Sequence, residues 1–162
     1  MMTSRNPAVL KTTRKKLTSS RACNEAFLRL LKPELLSWGL QPNPQPGSFF
    51  GGNDHGYRYD FADMSDVSDV KLAAFAIINP GQNLWIRGYR AGALPSDPAD
   101  LPVLFDNIEG LFTLCRKFSI WRPLRFSFYF EQKKHQSVEQ AAETLMKEVS
   151  GELPKLRKYL YG

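Results

Sequence analysis

The hydrophobic period of this chain changes from helical spacing to strand alternation and back, and no other feature restricts its fold as tightly. Between Cys23 and Trp38 apolar residues recur at helical spacing, with Phe27, Leu31 and Leu35 four apart and Leu28 and Trp38 broadening the stripe. Between Phe49 and Arg90 the period drops to two. In GYRYDF, residues 56–61, Tyr57, Tyr59 and Phe61 fall on one side and Arg58 and Asp60 on the other, the pattern of a half-buried strand. KLAAFAII, residues 71–78, is apolar on both sides, as an interior strand is. NLWIRGYR, residues 83–90, alternates again, with Leu84, Ile86 and Gly88 opposite Trp85, Arg87 and Tyr89; the NPGQ between the two runs predicts a hairpin. SFFGG, residues 48–52, reads as a short edge strand, and the NDHG after it as a turn.

Punctuation residues set the remaining boundaries. The leading helix is expected over 23–38, with Ser19 or Ser20 near its N-cap and Gly39 as its stop. Pro33 either kinks that helix or opens a second short one at its first position. QPNPQPG, residues 41–47, is loop by composition, and so is GALPSDPADLP, residues 92–102. Leu104, Phe105, Ile108, Leu111, Phe112 and Cys115 predict a middle helix over 103–117. PLRFSFYFE, residues 123–131, alternates cleanly, with Leu124, Phe126, Phe128 and Phe130 facing one way, and predicts a strand. Ser137 with Gln140 forms a capping box for a helix that ends at Gly151, followed by a last basic helix over 153–161. The expected fold is α+β: a single domain over 23–162 built on a mainly antiparallel sheet of about five strands, with a leading helix, a middle helix and C-terminal helices. A nucleotide-binding doubly wound fold is disfavoured, because no Gly-rich loop follows a strand.

A chain of 162 residues buries a core without metal or disulfide support, and no apolar run approaches the ~18 residues of a membrane span. Cys23 and Cys115 lie far apart without a CxxC partner, so both read as free, buried thiols in a reducing cytoplasm. The net charge of +6 is unevenly placed. Of 22 Lys and Arg, six lie in an acid-free arm over residues 1–22 (Arg5, Lys11, Arg14, Lys15, Lys16 and Arg21), which leaves 16 to balance the 16 Asp and Glu. The folded part is therefore neutral. The arm has three readings: a solvated tail, an organellar address, or a phosphate-binding segment in which Arg14, Lys15, Lys16 and Arg21 contact nucleic acid.

Several chemistries find little material. Asp60 followed by DVK, residues 69–71, resembles the acidic residue plus Asp-x-Lys spacing of metal-dependent nucleases, in which two acids and a lysine converge on one divalent cation. Asp60, Asp69 and Lys71 are the residues of that reading, with a hairpin connection as the simpler alternative. His55 sits in a Gly-flanked turn and His135 beside Lys133 and Lys134, both contexts of surface solvation. No catalytic residue, cofactor or metal is expected.

The strand pattern offers a surface instead. If Leu84, Ile86, Phe126 and Phe128 turn inward, the other side carries Trp85, Arg87, Tyr89, Arg125, Tyr129 and Arg58, the residue types that anchor protein interfaces and also stack on bases. A leading helix with LKPELLSWGL, a small meander and a closing helix pair are together similar in layout to small bacterial α+β domains, toxin-neutralising immunity proteins among them. The expected function is a non-enzymatic protein-binding module, such as an immunity or adaptor protein, with a protein partner and no membrane. Nucleic-acid binding through the arm and the aromatic face is the alternative, and a metal-dependent nuclease a further one.

Overall fold

Three long antiparallel strands form the centre of the sheet, and each outer edge of that ribbon is covered in two pieces. The computed structural model describes residues 18–78, 83–104, 108–117, 119–121 and 126–162. The ribbon is β3 (Gly56–Asp63), β4 (Val70–Ile78) and β5 (Asn83–Gly92). The free side of β3 pairs with β1 (Gln41–Pro42) and β2 (Phe50–Asn53), and that of β5 with β6 (Phe112–Thr113) and β7 (Phe128–Tyr129), all antiparallel. The expected α+β fold is observed, with seven strands among the described residues instead of about five. The additional strands are β1, inside the expected QPNPQPG loop, and β6, inside the expected middle helix.

Alternation sorts each strand residue onto one of two faces. On the inner face Tyr59 pairs across Phe75 to Ile86, and Tyr57 across Ile77 to Leu84. Helices α1 (Ser19–Leu30) and α3 (Val138–Tyr161) pack on this face and bury Phe27, Phe61, Phe75, Phe128, Met146 and Leu153 in the main core. Burying each such side chain contributes about 1.5–3 kcal/mol, so this layer dominates the stability. On the outer face a second, smaller core forms where Leu101 and Leu104 cover Ala62, Val70, Leu72 and Ala74, with Tyr89, Ile108 and Leu111 packed around them.

That two-sided burial explains why no helix forms over 103–117 among the described residues. Its apolar residues serve different layers: Leu104, Ile108 and Leu111 belong to the outer cluster, and Phe112 and Leu114 to the inner one. Gly110, at φ +79°, supplies a left-handed turn between Ile108 and Leu111, just before the chain crosses to the inner layer. Cys115, expected to be buried, is exposed.

Three further boundaries differ from expectation. The leading helix begins at Ser19, with the Thr18 side chain accepting the Arg21 N–H as its N-cap, so Arg21 belongs to a helix instead of the arm. Pro33 takes the early position it prefers in a separate helix, α2 (Lys32–Ser37). The two expected C-terminal helices are one, because α3 runs through Gly151 and Pro154. An interior proline costs about 3 kcal/mol. Leu153, Leu156 and Leu160 continue the stripe of Met146 and Val149 at full burial, which outweighs that cost. The strand expected over 123–131 is limited to β7 among the described residues; Phe128 is buried as expected, whereas Phe126 is half exposed.

Candidate binding face

The outer face of the ribbon is ordered by the register of its strands. Arg58, Ala76 and Trp85 form one row across β3, β4 and β5, and Asp60, Ala74 and Arg87 the next. The two alanines make a low floor between walls of long side chains. One wall is built around Asp60, whose carboxylate accepts the Phe49 N–H at 2.8 Å and the Arg58 Nε–H at 2.9 Å, with a second Arg58 nitrogen 2.8 Å away. This fork holds the Arg58 guanidinium over the Phe49 ring, 5.1 Å from its centroid. The other wall is Trp85 with Arg87, whose guanidinium lies 4.6 Å from the indole centroid. Arg87 also donates to the Leu104 carbonyl at 2.8 Å, and burial lowers its pKa from the ordinary value, though a guanidinium remains charged.

Both aromatic walls stay open to solvent: Phe49 is 45% exposed and Trp85 38%. The gap where Pro102–Leu104 cover the sheet beside them is about 10 Å³, room for one water at most. The face therefore acts as a surface.

The residues expected on this face divide. Arg58, Trp85 and Arg87 stand together. Tyr89 neighbours them on the strand but packs into the outer hydrophobic cluster. Tyr129 lies beneath Arg116, 4.5 Å from ring centroid to guanidinium carbon, and lines a recess with Ala141, Leu145 and Glu148 of α3. Arg125 lies outside the described residues, as do Arg14, Lys15 and Lys16, while Arg21 pairs with Glu25 at 3.0 Å. Phe49 belongs to the face and was not anticipated. The signal was present, since a strand that turns Phe50 inward against Tyr59 and Phe61 must turn Phe49 outward.

The nuclease constellation is not assembled. Asp60 lies on the outer face, whereas Lys71 pairs with Asp63 across the ladder and so lies on the inner one. Asp69 is engaged by Arg90 at 2.8 Å and Lys71 at 3.2 Å, and these contacts, with Arg90 first, lower its pKa. Among the described residues no three His, Cys, Asp or Glu side chains cluster in a way that could hold a metal ion. No described helix is long and apolar enough to cross a membrane.

Comparison with family models, curated proteins and solved structures finds no match. Any functional reading of the face rests on its own chemistry.

Proposed function

We propose that this chain is a non-enzymatic binding module that recognises a protein partner through the Phe49, Arg58, Trp85 and Arg87 face, in the manner of a cytoplasmic immunity or adaptor protein. The observation that carries this reading is the pairing of two solvent-open aromatic rings with two guanidinium groups on a rigid strand ribbon. Aromatic and Arg side chains already held in place lose little entropy on binding and are the commonest energetic anchors of protein interfaces. The neutral balance of residues 23–162 favours a protein over a polyanion.

A photo-cross-linking residue at position 85 tests the reading in the native host, with the exposed turn residue Val67 as the control position. A discrete protein adduct from position 85, absent from 67 and weakened by Arg58→Glu, is the expected result. Equal labelling from both positions would remove the face from consideration.

Nucleic-acid binding is the second reading, supported by the acid-free charge of the arm. It requires an affinity for labelled nucleic acid that falls steeply with salt, and a shallower slope when Arg14, Lys15 and Lys16 are changed to Gln.

A further inference from the structure

A recess of about 390 Å³ opens between α2 and the last turns of α3, on the helical side of the sheet and separate from the strand face. Trp38, Pro154 and Tyr161 give it flat apolar walls, and Glu34, Arg157 and Lys158 bring charge to it. Its volume lies in the ~300–1,000 Å³ range of small-molecule sites.

The two cations distinguish this recess from ordinary helix surface. Elsewhere on α3, Lys147 pairs with Glu143, and Lys155 with Glu152. Arg157 and Lys158 have no carboxylate within ion-pair distance among the described residues, although both line the recess. The Arg157 guanidinium instead lies 5.9 Å from the centre of the Trp38 indole, with its charge beside the flat wall. A favourable interaction with the C-terminal end of the helix dipole accounts for cations in a last turn. It does not account for aromatic walls around a cavity of this size.

We infer that this recess binds a small organic anion that carries a flat ring. The ring lies against Trp38 and Tyr161, while Arg157 and Lys158 donate charge-assisted hydrogen bonds to the anionic group. Glu34 contributes an acceptor, which suits a ligand bearing a hydroxyl or amino group and disfavours one that is anionic over its whole surface.

Titration of the full chain with adenosine monophosphate and with indole acetate, followed by amide chemical shifts, tests the inference. Adenosine and inorganic phosphate supply the ring alone and the charge alone. The expected result is that both ring-bearing anions shift Trp38 and residues 157–161 and compete with each other. Each should bind at least about tenfold more tightly than adenosine or phosphate, the worth of one charge-assisted contact. The double variant Arg157→Gln, Lys158→Gln, at exposed positions, should lose that advantage while its far-ultraviolet spectrum is unchanged. The inference is overturned if neither anion shifts these residues, if phosphate alone binds as well as adenosine monophosphate, or if the double variant retains full affinity.

Discussion

Gly88 of β5 lies directly beneath Leu156 of α3, so close that a β-carbon at position 88 would stand 2.5 Å from the leucine Cδ1. The helix is seated on the sheet at the one position of β5 where the inner face carries no side chain. Leu156 and Leu160, both fully buried, fill the space. Gly88→Ala should therefore destabilise the fold by about 1–3 kcal/mol, the usual cost of overpacking. Gly88→Val should cost more. Urea titration of both variants checks this, and a neutral Gly88→Ala would mean that α3 is less tightly seated than the geometry requires.

The two thiols occupy opposite environments. Cys23 is buried in the main core, and burial raises its pKa to about 12, whereas Cys115 is exposed. Since the thiolate is the reactive form, a thiol-specific reagent at pH 8 should modify one cysteine in the native protein and two in urea. Cys115→Ser should abolish the native reaction. Rapid modification of two thiols in the native state would show that α1 opens readily from the sheet.

Strand alternation was the legible part of this sequence, because a residue's face is set by parity alone. Arg58, Trp85 and Arg87 on one side and Tyr59, Ile86 and Leu84 on the other follow directly from it. Helical spacing misled over 103–117, where apolar residues meant for two layers happened to fall at a helical period. It misled in the opposite sense at Gly151 and Pro154, where local breakers yield to a leucine stripe that only the assembled sheet rewards. The partition of the face was not legible at all. Tyr89 and Tyr129 look alike on the strands, but what covers the one is a distant loop and what captures the other is Arg116. The recess by Trp38 joins residues more than a hundred positions apart, a juxtaposition that one sequence cannot show.

Asp63, a buried carboxylate held below its ordinary value, should contribute to acid sensitivity. Burial alone would raise its pKa, but hydrogen bonds from Ser65 and the Tyr161 hydroxyl, with the Lys71 charge nearby, outweigh that and hold it below the ordinary carboxylate value. A carboxyl depressed in the folded state stabilises the fold above its unfolded pKa of about 3.9, and that contribution is lost as pH falls through the folded value. Stability should thus decline below about pH 4, with a smaller decline in Asp63→Asn. Urea midpoints between pH 5 and pH 2.5 read this directly, and an identical acid slope in the variant would assign the sensitivity to other carboxylates.

Arg116 supplies the most demanding test of the packing around β7. Its side chain is almost wholly buried, 7% exposed, and pairs with Glu148 of α3, with Nη2 donating to one carboxylate oxygen at 2.7 Å and Nε 2.5 Å from the other in charge contact only, while the guanidinium lies over Tyr129. Glu148 itself is more than a third exposed, so solvent screens its half of the pair. Glu148→Gln, which keeps an acceptor but removes the charge, should cost about 1–2 kcal/mol. Glu148→Ala, which leaves the guanidinium buried beside an apolar methyl, should cost about 2–4 kcal/mol. Replacing both partners, as Arg116→Met with Glu148→Ala, should recover much of that loss, because no charge is then stranded. A double-mutant cycle in urea measures all three. If Glu148→Ala and Arg116→Met prove additive, the pair does not couple α3 to β7, and the cohesion of that edge belongs to the apolar core around Phe128 and Leu145.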